Sequence, residues 1–296
     1  MNKFINLRNA LLSIGGIAAA GTALYLYGRQ ERKSVQLRRE TLDLSKWPKS
    51  LDGYRIAVVG DFHLGTRDSM AYHGRWVMQQ VLEERPDAIV LVGDIVDKWI
   101  TSAWDYAAYA LEPLQEAGVP ILAVPGNHDV KGGDISKLKQ LVESYGGHVL
   151  SNSSQLIDKV RFIGVESSSY HRHNLLEAFK EVDPEEPQIV LWHEPDLVAA
   201  LHSGPALAIS GHTHGGQVGL SQAWGRFGVR HGQKYPAGFH HTGNVPVYVT
   251  RGVGVSGLPI RIGRPPEIGL LTLNSASANL LAETTVDVRP PASNLE

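Results

Sequence analysis

A chain of 296 residues with 43% hydrophobic and 20% charged residues has enough apolar material for one large domain or two ordinary ones, which excludes wholly disordered, collagenous and solenoid classes. It contains no cysteine, so disulfide frameworks, thiol catalysis, zinc ribbons and iron–sulfur clusters are excluded, and any metal must be held by His, Asp, Glu, Asn or backbone oxygen. The net charge of −2 hides an asymmetry: residues 1–50 carry nine Lys/Arg against three Asp/Glu, and residues 51–296 carry nineteen against twenty-seven, an acidic balance that predicts no nucleic-acid partner.

The chain opens on a membrane signal. Asn9 to Gly28 is a run of twenty uncharged residues, enough to cross a bilayer as a helix, with Tyr25 and Tyr27 placed for the interfacial belt. Lys3, Arg8 and Ala18–Ala20 also fit a cleavable signal peptide, but the apolar run continues past the alanines, which favours an uncleaved anchor. Arg29, Arg32, Lys33, Arg38 and Arg39 follow it, and by the positive-inside rule they predict a single-pass protein of the bacterial inner membrane with a cytoplasmic catalytic domain. The expected division is therefore an anchor over 1–28, a basic linker over 29–50, a catalytic domain over 51–274 and a frayed tail over 275–296.

After the linker, short branched runs alternate with helical ones. Arg55–Val59, Ala88–Val92 and Val119–Val124 read as strands, and Ser69–Glu84, Ser102–Ala117 and Asp134–Tyr145 read as helices. This β-α-β-α-β opening predicts a layered α/β domain. Later strands at Val160–Val165, Ile189–Trp192, Leu207–Ser210, Val245–Thr250 and Ile268–Leu273 have less helix between them, which predicts a second, more antiparallel sheet. Residues 215–244, rich in Gly, His and aromatics, read as a long loop or hairpin.

The chemistry follows the strands. Gly60-Asp61-Phe62-His63, Gly93-Asp94-Ile95-Val96-Asp97, Pro125-Gly126-Asn127-His128-Asp129, His193-Glu194-Pro195 and Gly211-His212-Thr213-His214 each come directly after a predicted strand. Ligands of layered α/β folds collect beyond the carboxyl ends of strands, so the five clusters should converge. Each alone is an ordinary turn, and five in order are not. Oxygen and nitrogen ligands of this kind suit Mn, Fe or Zn.

The set resembles the calcineurin-like metallophosphoesterase superfamily, whose pattern is Asp-x-His, Gly-Asp-x-x-Asp, Gly-Asn-His-Asp/Glu, a lone His, then Gly-His-x-His. Gly215-Gly216-Gln217, Lys234-Tyr235, Thr250-Arg251-Gly252, Leu258-Pro259-Ile260-Arg261 and Pro266-Glu267-Ile268 extend the resemblance to a membrane-anchored bacterial branch that includes UDP-2,3-diacylglucosamine hydrolases of lipid A synthesis. The cytosolic enzymes of that pathway carry Gly-Asn-Arg-Asp where this chain has Gly126-Asn127-His128-Asp129. The resemblance implies a four-layer α/β fold of two mixed sheets packed face to face and flanked by helices, plus the N-terminal transmembrane helix. It implies two divalent ions, Mn favoured, one held by Asp61, His63, Asp94 and His214 and the other by Asp94, Asn127, His193 and His212, with Asp94 bridging. It further implies His128 as general acid and Asp97 as the group that orients it. Asp129 could share that task or only bind backbone, and Glu194 and Asp196 read as supporting or surface groups. His171, His173, His231, His240 and His241 read mostly as solvent-facing, while Arg226, Arg230 and Lys234 are candidates for a substrate phosphate or anionic headgroup. The expected activity is hydrolysis of a phosphodiester or diphosphate in a lipid-linked substrate. The alternatives are a phosphodiesterase or phosphatase for a soluble substrate, and a silent metal-binding module.

Overall fold

The computed structural model describes residues 2–65, 68–130, 134–219, 229–276 and 283–287. Helix α1 (Asn2–Glu31) leads into strand β1 (Gln36–Leu44). Then come β2 (Tyr54–Val59), α2 (Asp68–Glu83), β3 (Ala88–Leu91), α3 (Thr101–Leu111), β4 (Ile121–Ala123), α4 (Ser136–Glu143) and β5 (His148–Val149). The second half holds β6 (Ser153–Ile157), β7 (Val160–Val165), α5 (Leu175–Ala178), β8 (Gln188–Trp192), β9 (Leu207–Ser210), β10 (Gly238–His241), β11 (Pro246–Val249), β12 (Glu267–Ser275) and β13 (Glu283–Asp287).

Two mixed sheets result, ordered β13-β1-β12-β2-β3-β4-β5 and β10-β11-β9-β8-β7-β6. Strands β3, β4, β8 and β9 are buried on both faces, and alternation sorts the side chains. Ile56, Val58, Val90 and Leu122 of the first sheet meet Phe162, Ile189, Leu191, Leu207 and Ile209 of the second in the central core. The residues between them in sequence, Ala57, Val59, Ile89, Leu91 and Ala123, turn outward against α2, α3 and α4. On the far side Ile163, Val165, Val190, Trp192 and Ala208 form the outer cluster of the second sheet. Full burial of one such aliphatic side chain contributes about 1.5–3 kcal/mol, so the sheet edges that carry the site rest on a rigid base.

Several elements differ from the sequence reading. The presumed linker over 29–50 contains β1, which pairs parallel with β12 and antiparallel with β13; Leu37, Leu42 and Leu44 face the core, while Arg39 bonds Glu84 across 2.6 Å. The presumed frayed tail supplies β13. The second sheet is parallel at its centre, where β7, β8, β9 and β11 run together, and only β6 and β10 at its edges are antiparallel. The third sequence helix is shortened to α4, and the second ends at Leu111, with Pro113 entering a 3₁₀ turn over Glu112–Glu116.

Helix α1 has one stretch, Leu11–Glu31, long and apolar enough to cross a membrane, and its side chains are almost all outside the folded core. Its end is fastened to the domain. The Arg261 amide donates to the Gly28 carbonyl at 2.9 Å, and the Glu31 carboxylate receives the amides of Gly263 and Arg264 at 3.0 and 2.7 Å. A side chain at Gly28 would meet Ile260 Cβ at 2.9 Å, so only glycine allows this close approach.

Candidate metal centre

The loops after β2, β3, β4, β8 and β9 meet at one end of the two sheets. Asp61, His63, Asp94, His193, His212 and His214 are all buried there, in a fold whose charged side chains are otherwise mostly at the surface. Ligand atoms of Asp61, His63 and His214 lie within 4.8 Å of one another, as do those of Asp94, His193 and His212. The Asp94 carboxylate joins the groups: its Oδ2 is 3.5 Å from His63 Nε2 and 3.2 Å from His193 Nε2, while its Oδ1 accepts the His128 amide at 2.8 Å.

The backbone is strained to achieve this. Asp61, His63, Asp94, His212 and His214 all have positive φ, between 49° and 74°, a region that ordinary residues avoid and that clusters at functional sites. The glycines flanking them give the room. A Cβ on Gly93 would lie 2.5 Å from the Gly126 nitrogen and 2.8 Å from His193 Nδ1.

Imidazole tautomers are set by the second nitrogen. In a neutral imidazole, the form that binds a cation, the ring nitrogen held by a second acceptor carries the hydrogen and the other keeps its lone pair. His193 Nδ1 donates to the Val92 carbonyl at 2.6 Å, which leaves Nε2 facing Asp94. His212 Nε2 donates to the Arg230 carbonyl at 2.7 Å, which leaves Nδ1. His63 Nδ1 points to Asp97 Oδ1 at 3.3 Å, which leaves Nε2, and that atom faces His214 Nε2 at only 2.9 Å.

The electrostatics match an assembly built for cations. Burial pushes Asp61 up to about 6, with Asp94 adding to the rise and His193 and His63 opposing it. Burial also works against charge on Asp94, but His193 and His63 beside it hold its carboxyl well below the usual range. On His193 burial opposes protonation and Asp94 reverses it, so its pKa is raised. His214 is driven down by burial and by His63 and Arg261. Asn127 Oδ1 is buried without a hydrogen-bond partner, and His193 Nε2 has no bond of proper geometry. Lone pairs, carboxylates and an orphaned amide oxygen aimed at one place fit a pair of hard-to-borderline divalent ions.

The remaining predicted residues fall as follows. His128 Nδ1 bonds the Asp97 backbone carbonyl at 2.9 Å and is 3.8 Å from the Asp97 carboxylate, which bonds His63 instead. Asp97 thus reaches His128 through its main chain, a split that residue type alone does not reveal. The Asp129 carboxylate accepts the amides of Ile95, Val96 and Gly126 at 2.8, 3.1 and 2.9 Å and does not touch His128, so of its two expected roles it has the backbone one. Asp129→Ala leaves three buried donors unpaired and is expected to destabilise the fold by about 3 kcal/mol, read from chemical denaturation; an unchanged midpoint would mean these loops are held by other bonds. Glu194 is buried and accepts from Ser167 Oγ and the Ser168 amide, and Asp196 caps the amides of Gln233 and Lys234. Arg230 and Lys234 have exposed side chains, and their segment meets the site through the Arg230 carbonyl. Arg226 lies outside the described residues. His171 caps a turn, His231 gives its carbonyl to the Asp196 amide, His173 lies against Trp192, and His240 and His241 sit on β10, so none of these joins the ligand groups.

Two further residues are buried outside the five loops. Arg261 is fully buried and donates to the carbonyls of His214, Arg251, Gly252 and Gly254, gathering the loops that flank His214. His73, on α2, is buried with no partner for either ring nitrogen.

Comparison with known proteins agrees with this geometry. Residues 54–216 match the calcineurin-like phosphoesterase family, a stretch that runs through all five loops. An uncharacterized metallophosphoesterase of Bacillus subtilis, YkuE, is 29% identical over 90% of this chain and 94% of its own length. A transmembrane protein with metallophosphoesterase domain from Danio rerio is 28% identical over 79% of this chain and 56% of that longer protein. Among solved structures, a dimetal phosphatase from Danio rerio superposes with a TM-score of 0.41 at 12% identity, covering 68% of this chain and 88% of that one. With more than half of its length matched and its five loops drawn into one buried cluster of ligands, the chain belongs to the calcineurin-like phosphoesterase family and is a metal-dependent phosphoester hydrolase.

Proposed function

We propose that this protein is a membrane-anchored hydrolase of a phosphodiester or diphosphate carried on a lipid, with Asp61, His63, Asp94 and His214 holding one divalent ion and Asp94, Asn127, His193 and His212 the other. The observation that carries the assignment is the Asp94 carboxylate oxygen set between His63 Nε2 and His193 Nε2 at 3.5 and 3.2 Å. Two such ions, when bound, neutralise phosphoryl charge and acidify water. The chain's own residues do the rest: Asp97 fixes the His63 ring, and His128, anchored at Nδ1, keeps Nε2 for a proton that goes to the leaving oxygen.

The lipid assignment rests on how α1 meets the domain. A cleft of about 600 Å³ of open space is lined by Arg32, His63, Asp97, Lys98 and Pro259, so its mouth lies where α1 ends. If α1 spans a bilayer, the cleft opens at headgroup level. The basic residues after the apolar run support a domain on the cytoplasmic side of a bacterial inner membrane.

Stripping the full chain of metal is expected to abolish hydrolysis of bis-p-nitrophenyl phosphate, and Mn²⁺ is expected to restore it at about two equivalents per chain. Turnover that survives exhaustive chelation would overturn the reading. UDP-2,3-diacylglucosamine in mixed micelles tests the lipid part. A kcat/KM no higher than for water-soluble diesters would shift the assignment to a soluble substrate.

A further inference from the structure

The loop Val255-Ser256-Gly257-Leu258-Pro259-Ile260 has no charged residue, and Leu258 stands 62% exposed at its tip. The loop follows β11, which runs parallel to β9, so it emerges at the same end of the second sheet as the metal loops. It is not slack. Gln217 Nε2 donates to the carbonyls of Ser256 and Leu258 at 3.0 and 2.9 Å, its Oε1 accepts the Ser256 amide at 2.9 Å, and the Ile260 amide closes a turn on the Leu258 carbonyl at 2.9 Å. The chain therefore holds an apolar side chain outward at a fixed place.

A lone exposed leucine is ordinary on a protein surface, so its position must decide. Every residue from Leu11 to Tyr27 is exposed, which leaves that stretch of α1 clear of the domain. The twenty uncharged residues from Asn9 to Gly28 reach about 30 Å as a helix, the thickness of a hydrocarbon core. If α1 crosses a bilayer, Gly28 stands at the boundary between acyl chains and headgroups. Gly28 is also where α1 meets this loop: a Cβ there would lie 2.9 Å from Ile260 Cβ and 3.1 Å from the Arg261 carbonyl oxygen. Leu258 is two residues from that contact, a reach of at most about 7 Å, and side chains seated at a bilayer surface enter it by about 5–10 Å.

We propose that Leu258 is a second membrane contact, laid by its loop into the lipid surface from which α1 emerges. The inference deepens the membrane-anchored reading and rests on it. A single helix can tilt by anything up to about 40° in a bilayer, whereas a second point of contact fixes which face the domain turns to the lipid. Gly257 and Pro259, on either side of Leu258, line the metal cleft, so the face held against the bilayer is the mouth of that cleft.

The chain has no cysteine, so a single one carries a fluorophore without background. Full-length Leu258→Cys, labelled with nitrobenzoxadiazole and reconstituted into phosphatidylcholine vesicles, is compared with Ile17→Cys within α1 and with Glu185→Cys. Glu185 is exposed in the loop that enters β8, at the end of the sheet opposite the metal centre. The quenchers are phosphatidylcholines bearing a nitroxide either just below the headgroup or near the middle of the acyl chain. The shallow nitroxide is expected to quench the Leu258 label at least about twofold more than the Glu185 label, and the deep one to quench the Ile17 label. Quenching of the Ile17 label, with the Leu258 label no more quenched than the Glu185 label, would overturn the proposal and leave the anchor standing. No quenching of either would overturn the anchor and this inference with it. Blue-shifted emission from the Leu258 label that neither nitroxide quenches would mean that protein covers Leu258, which also overturns the proposal. The substitution is at an exposed side chain and leaves the packing intact, and none of these readings depends on turnover, which the bis-p-nitrophenyl phosphate assay tests separately.

Discussion

Asp94→Ala is expected to lower kcat/KM on bis-p-nitrophenyl phosphate by at least about 10³-fold and to reduce bound metal from two equivalents to one or none. The expectation follows from how many bonds end on one carboxylate. Oδ2 faces His63 and His193 and Oδ1 receives the His128 amide, whereas Asp61 meets the second group only through the His212 backbone amide. Removing it takes the shared negative charge from both ions, leaves His193 without its counter-charge in a fully buried position, and frees the loop that carries His128. Asp94→Asn separates these effects. It keeps an oxygen for the His128 amide and the volume of the side chain, but it loses the charge. If bridging is the main role, the two variants lose activity to within about tenfold of each other, because charge is the property they share in losing. If holding the His128 loop is the main role, Asp94→Asn retains most turnover. Two metals per chain and near-normal rates in Asp94→Ala would sink the bridging assignment outright.

Much of this centre is legible in the amino-acid sequence because its signals are local. A strand ending in Gly-Asp, Gly-Asn or Gly-His states that the chain must turn sharply and present a ligand, and the glycines at 93 and 126 do stand where a Cβ would strike a neighbour. The less legible parts depend on tertiary partners. Strand β1 reads Gln-Leu-Arg-Arg-Glu-Thr-Leu-Asp-Leu, and its charges suggest a solvated linker. Leu37 packs on the helix side and Leu42 and Leu44 in the central core only because β1 pairs with β12 along its length, and no local property announces that pairing. The parallel centre of the second sheet is hidden because its crossovers hold only short 3₁₀ turns and the four-residue α5 rather than long helices, so the usual sign of a parallel connection is absent. The left-handed conformations of the ligands themselves are also invisible in sequence, since Asp and His carry no obligation to adopt them. His73 and Arg261 are hidden for a different reason. His73 is a single polar residue in an ordinary helix, and Arg261, though it ends a recognisable motif, shows its role only through the carbonyls around it.

Exchange of His128 for Gln should distinguish proton donation from positioning through the identity of the leaving group. The His128 side chain is 32% exposed at the edge of the buried centre, its ring centroid 4.7 Å from that of His63. Its Nδ1 hydrogen is engaged by the Asp97 carbonyl, so Nε2 is the ring nitrogen left to carry a transferable proton. An alkoxide must receive a proton as it departs, whereas p-nitrophenolate leaves without one. For an alkyl phosphodiester His128→Gln is therefore expected to lower kcat by about 10²–10⁴-fold, the usual range for a positioned general acid, with KM little changed. For bis-p-nitrophenyl phosphate the loss should be at least about tenfold smaller. An Asp97→Asn variant adds a second contrast. Because its backbone carbonyl is retained, it should leave the leaving-group dependence of the His128 step intact, while loosening His63 and weakening metal binding through the bond its carboxylate makes there. Equal losses on both substrates in His128→Gln would mean that the ring positions the substrate or the loop and donates no proton. The general acid would then have to be sought among the groups lining the cleft, which include Lys98.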